Sequence, residues 1–104
     1  MNVEAEVLWL DEHREIGLPE LIEMSGLREA ELLELVQCGA IPAQGQPEAG
    51  YRFSARMITV ARTASRLRDD FELDTRGLSV ALSLLERVSA LEEEIGRLRA
   101  QLPR

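Results

Sequence analysis

The chain has 104 residues, 45 % hydrophobic and only 4 % aromatic, with a net charge of −7. That length suits one domain spanning residues 1–104, able to bury a modest core without staples, and apolar content drawn mainly from Leu, Ala and Val favours helices over strands. One cysteine, Cys38, excludes an intrachain disulfide, no run approaches the ~18 apolar residues of a spanning helix, and all twelve basic residues are arginine.

The charge is divided unevenly along the chain. Residues 1–50 hold eleven acids and two arginines, a net −9, while residues 51–104 hold eight acids and ten arginines, a net +2. The first half is expected to form an acidic strand, a helix-turn-helix and a loop. The second is expected to supply the end of a wing and two long helices. The sign of a surface selects its partners, so this split bears on function before any fold is known.

In chain order, Val3, Ala5 and Val7 alternate with Glu4 and Glu6, the period of a short half-buried strand over Val3–Trp9. Asp11 to Gly17 is polar and reads as a turn. The acidic start lacks the basic region of a signal peptide, so a cytoplasmic protein is expected. Leu18-Pro19-Glu20 opens a helix, because proline is tolerated in the first turn and acids there suit the helix dipole. That helix stops near Ser25-Gly26. A second runs from about Arg28 to Gln37, with Leu32, Leu33, Leu35 and Val36 on its apolar side and Gly39 as the cap that ends it. Two short helices joined by a glycine turn make a helix-turn-helix.

Residues 39–50, GAIPAQGQPEAG, carry too much glycine and proline for a helix and read as a loop or small β-wing. Tyr51-Arg52-Phe53 is a brief strand. Ser54 is placed to cap a helix over about Ala55 to Glu72, in which Met57, Val60, Ala61, Ala64, Leu67 and Phe71 form a buried stripe. Asp74 or Thr75 caps the final helix, which reaches about Leu102 and is stopped by Pro103. Within it Ala81, Leu84, Val88, Leu91, Ile95, Leu98 and Leu102 follow the 3,4 spacing of a coiled-coil seam about three heptads long. Such a helix is roughly 40 Å long. A chain this short does not cover it, so Val88, Leu91, Ile95, Leu98 and Leu102 are expected to pack on a second copy, parallel or antiparallel.

Catalysis needs converging acids, bases or nucleophiles. His13 stands alone in a polar turn, and Cys38 has no basic neighbour in sequence to lower its pKa. One histidine and one cysteine do not build a zinc site, and no phosphate loop is present. No enzyme activity and no cofactor are expected. A helix-turn-helix with a wing ordinarily suggests DNA binding, yet residues 10–40 carry eight acids and two arginines. Glu29, Glu31 and Glu34 stand where phosphate- and base-reading residues belong, so direct nucleic-acid binding is not expected of that helix. Arg52, Arg56, Arg62, Arg66 and Arg68, uninterrupted by an acid, keep a DNA-binding regulator as the alternative; their simpler role is to balance the acidic half or pair with Asp69, Asp70 and Glu72.

The run Leu35-Val36-Gln37-Cys38-Gly39-Ala40-Ile41-Pro42, with Gly50-Tyr51-Arg52-Phe53, resembles the wing region of MerR-type proteins. Arg66-Leu67-Arg68-Asp69-Asp70-Phe71-Glu72-Leu73-Asp74, Gly77-Leu78-Ser79-Val80-Ala81-Leu82 and the leucine-rich tail are similar to the CbpM family of chaperone modulators. The resemblance covers nearly the whole chain and is strongest from Phe53 to Leu102. It implies a protein that binds the J-domain of a DnaJ-like co-chaperone of the CbpA type, inhibits its work with the Hsp70 DnaK and its DNA binding, and uses no cofactor. It implies a mostly α fold: a MerR-like helix-turn-helix with a short N-terminal strand and small wing, then two longer helices.

The resemblance further implies a partner whose J-domain carries a basic helix that engages Hsp70. An acidic face made by Glu20, Glu23, Glu29, Glu31 and Glu34 would complement it, with Asp69 and Asp70 as a second patch. The sequence departs from the family in placing Leu27-Arg28, not a small polar cap, before the second helix. That leaves the starting residue and the face presented open. A purely structural coiled-coil adaptor is the third reading.

Overall fold

The computed structural model describes residues 14–103. The strand expected over Val3–Trp9 and the lone His13 lie outside the described residues. The elements are β1 (Glu15–Gly17), α1 (Leu18–Ser25), α2 (Glu29–Gln37), β2 (Arg52–Ser54), α3 (Met57–Phe71) and α4 (Thr75–Ala100).

The polar stretch expected as a turn corrects to a strand at its end. Glu15–Gly17 pairs antiparallel with β2, with Ile16 opposite Phe53. Both side chains are buried, and burying that pair is the reason three residues hold an extended conformation. On its other edge β2 meets the wing. Arg52 N donates to Gln44 O at 2.9 Å, and Gln44 N donates to Arg52 O at 2.8 Å.

The helix-turn-helix ends and begins on local chemistry. α1 closes at Gly26, whose φ of 87° is a left-handed conformation that glycine adopts without a steric penalty. The buried Ser25 hydroxyl accepts from Leu27 N at 3.1 Å and donates to Ile22 O. The missing small polar cap of α2 is replaced from within the helix: Glu31 reaches back and accepts from Arg28 N at 2.9 Å, which is half of a capping box. Gly39, also left-handed, follows the last turn, and Ala40 N and Ile41 N both donate to Leu35 O.

Two expectations for α3 are corrected. Ser54 does not cap a helix from Ala55. It belongs to β2, opposite Glu15, so an Ala55–Arg56 turn intervenes before the helix starts at Met57. The buried face runs through Ile58, Ala61, Ala64 and Ser65, whereas Phe71 is 67 % exposed. Small residues let α1 approach closely: a Cβ on Gly26 would stand 3.0 Å from Ser65 Oγ. Phe71 lies at the last turn, where the chain reverses at Glu72 with φ 54°.

α4 begins on Asp74, whose Oδ1 accepts from Gly77 N at 2.8 Å. Thr75 has a different task and donates to Glu34 of α2. Gly77 makes room for Leu73, which folds back over the helix start; a Cβ there would meet Leu73 Cδ2 at 3.2 Å. Leu78 and Leu82 complete a core that also holds Leu21, Leu27, Leu32, Leu35, Ile41, Phe53 and Ile58. Beyond Leu82 every described residue of α4 is exposed. The helix stands out from the head, giving principal extents of 54 × 30 × 30 Å.

Candidate protein-binding surface

The residues that point outward from the helix-turn-helix follow from which ones its core consumes. Leu21 fixes the inner side of α1, and Leu32 with Leu35 that of α2. Their helical spacing leaves Glu20 and Glu23 exposed on α1, and Glu29, Ala30, Glu34 and Gln37 exposed on α2, with Leu33 half-buried. The solvent side of the second helix is thus short, acidic and partly apolar.

The five glutamates differ in how far they are committed inside the protein. Glu20 Oε2 pairs with Arg14 at 2.8 Å on the surface, and Glu34 accepts from Thr75. Glu23 and Glu29 are exposed. Glu31 is engaged internally: its side chain is only 14 % exposed, Oε1 lies 2.6 Å from Arg68 Nη1, and Oε2 lies 3.2 Å from Arg28 Nη2. Arg68 also donates from Nη2 to Gly26 O at 3.3 Å and Ser65 Oγ at 3.2 Å, and from Nε to Asp69 Oδ1 at 3.0 Å. The bond to Asp69 first, and then that to Glu31, raise the Arg68 pKa above its ordinary value against the opposing effect of burial. Asp69 and Asp70 remain exposed at the far end of α3, although Asp69 shares Arg68.

The arginine cluster is spent in part on the protein itself. Arg62 Nε donates to Met24 O at 2.6 Å and Arg68 closes the clamp just described. Arg52, Arg56 and Arg66 are exposed.

Where α2 meets the start of α4, Glu34, Cys38, Thr75, Arg76 and Ser79 line a shallow groove. Cys38 Sγ lies 3.3 Å from Ser79 Oγ. Partners 41 residues apart leave no local signal, so sequence reasoning did not find this junction. Among the described residues no three His, Cys, Asp or Glu side chains converge to hold a metal ion. Nor is any helix there long and apolar enough to cross a membrane. The seam residues Val88, Leu91, Ile95, Leu98 and Leu102 lie along α4 and its final turn, each 48–68 % exposed.

Residues 16–100 match the family model described as MerR HTH family regulatory protein. The chain is 40 % identical over 80 residues to a Salmonella arizonae protein named Chaperone modulatory protein CbpM, covering 77 % of this chain and 79 % of that one. The proteins of the same name from Salmonella paratyphi B and Salmonella newport align with the same identity and coverage.

Proposed function

This chain belongs to the CbpM family of chaperone modulatory proteins and carries a MerR-type helix-turn-helix; from that premise we propose that it binds the J-domain of a DnaJ-like co-chaperone of the CbpA type. Binding inhibits the co-chaperone's work with DnaK, by competition for the J-domain, and its DNA binding. The observation that carries this reading is the solvent side of α2, where Glu29 and Glu34 flank Ala30 and the half-buried Leu33. A helix-turn-helix with acids there repels phosphates and suits a basic helix. Opposite charge speeds the encounter, while a small desolvated apolar contact sets the lifetime of the complex. Glu20 and Glu23 extend the acidic surface, Asp69 and Asp70 form a second patch, and Glu31 contributes by holding α2 in place.

The chain acts as a binding protein rather than an enzyme, in the cytoplasm, without a cofactor. It self-associates through the seam on α4. The test is a titration with a CbpA-type J-domain at low and high salt, paired with an assay of co-chaperone-stimulated DnaK ATPase. Saturable binding that weakens with salt and suppresses the stimulation is expected. Absence of saturable binding at low salt overturns the reading. The regulator alternative is favoured by three exposed arginines, Arg52 on the strand that meets the wing, Arg56 in the turn after it and Arg66 on α3. A salt-sensitive gel shift with promoter DNA would speak for it.

A further inference from the structure

We propose that Phe71, at the corner between α3 and α4, is the apolar anchor of the surface that takes the basic helix of the J-domain. The proposal rests on the function read above and adds the residue that sets the affinity. Phe71 stands two turns beyond Ala64 on the same side of α3. Ala64 is buried in the head, whereas Phe71 is 67 % exposed, so the head ends before it covers that side of the helix. Among the described residues Phe71 is the only large exposed hydrophobic outside α4. A phenyl ring on a helix end offers a large apolar area with few torsions to freeze, the property that enriches aromatic residues at interfaces.

The setting of the ring selects a basic partner. Residues 69–74 read DDFELD, with four acids and no base. Asp69 is shared with Arg68, and Asp74 caps α4. Asp70 and Glu72, on either side of Phe71, are exposed and make no ion pair among the described residues. Glu72 holds its carboxylate on a left-handed backbone, φ 54°, at a helix end where glycine is the usual residue. The position thus keeps a charged side chain at a cost in stability that glycine avoids. Two unspent carboxylates flanking an exposed ring match a partner with cationic groups around an apolar cleft, and they repel phosphate or an acidic surface.

Two contacts join this corner to the acidic helix. Glu31 and Glu34 lie about one turn apart on α2. Glu31 pairs with Arg68, and Glu34 accepts from Thr75. Arg68 and Thr75 are the residues immediately before and after the corner, so both of its ends are fixed beside the same stretch of α2. Asp70 and Glu72 thereby adjoin the acids of α2 in one surface, and Phe71 is its large apolar group. Ala30 and the half-buried Leu33 offer less apolar area. The carboxylates speed the encounter, and desolvation of the ring slows the departure.

The test measures association and dissociation of the full chain with a CbpA-type J-domain by surface plasmon resonance at low and high salt. Phe71→Ala is expected to weaken binding at least about tenfold, through faster dissociation and to nearly the same extent at both salts. Phe71→Leu, which restores apolar area, is expected to recover most of that loss. Asp70→Arg is expected to slow association several-fold at low salt only. Glu72→Gly is expected to slow association at low salt while raising Tm, because it relieves the left-handed backbone. Thermal unfolding of each variant checks that the fold is kept. An unchanged dissociation rate in Phe71→Ala overturns the anchor and leaves the J-domain reading standing. Absence of saturable binding by the unmodified chain overturns both. A Phe71→Ala chain whose own mass falls in light scattering while its J-domain affinity is unchanged assigns the ring to a contact between copies, and equally overturns the proposal.

Discussion

Arg68 Nη1 and Glu31 Oε1 stand 2.6 Å apart, joining α3 to the first turn of α2 across 37 positions of sequence. The same guanidinium reaches Gly26 O in the turn of the helix-turn-helix. Glu31 meanwhile accepts from Arg28 N, so one carboxylate both starts α2 and anchors it. The orientation of the acidic helix thus depends on an ion pair that is itself mostly shielded from water.

Glu31→Ala is therefore expected to destabilise the protein by about 2 kcal/mol, because it leaves a partly buried guanidinium short of its partner. In a domain of this size that lowers Tm by roughly 10 °C. Thermal unfolding followed by circular dichroism checks it. A Tm within a degree or two of the unmodified protein would show that the clamp carries no stability.

Reversal of charge at the exposed acids separates recognition from stability. Glu29→Arg is expected to cost no more than about 1 kcal/mol of stability, since it reverses an acid in the first turn of α2, and to weaken J-domain binding about tenfold at low salt, with a smaller loss at high salt. Glu23→Arg tests α1 in the same way. Calorimetric titration at two ionic strengths measures both, and undiminished affinity in each variant moves the contact to Asp69 and Asp70.

The α1–α3 crossing has no room at Gly26. Gly26→Ala forces a side chain into a left-handed conformation and sets its Cβ 3.0 Å from Ser65 Oγ. A cost of about 1–2 kcal/mol is expected from the backbone and the contact together, read as a lower denaturant midpoint at unchanged m-value.

Truncation after Ala90 removes the distal seam but keeps Leu78 and Leu82, the residues with which α4 completes the core. The shortened chain is expected to fold cooperatively and to run as a monomer in sedimentation velocity. A truncated chain that stays dimeric would place self-association elsewhere.

What could be read from the residues alone was whatever a few neighbours determine. Gly26 and Gly39 ended their helices as expected, Asp74 capped α4, and the 3,4 spacing of its apolar residues placed them on one exposed seam. The failures involve partners distant in sequence. Nothing beside Ile16 reveals that it will lie opposite Phe53, so a strand looked like a turn. A stripe drawn only from apolar residues on α3 included Phe71 and passed over Arg68, whose side chain is 20 % exposed and which shares a helix side with Ile58, Ala61 and Ser65. For the acidic surface, the sequence supplied the sign of the charge. It did not reveal which glutamates were already committed, and Glu31 and Glu34 are held by residues 37 and 41 positions away.

The junction of α2 with α4 has a mechanical consequence. Thr75 grips Glu34 and Ser79 lies against Cys38, one turn further along each helix, so the second helix is fastened to the base of the projecting rod at two points rather than hinged at one. A tilt imposed on α2 would therefore be carried into α4 through these two contacts. The rod is a lever with its fulcrum in the head, and a tilt of a few degrees at the docking helix becomes a displacement of ångströms at its tip.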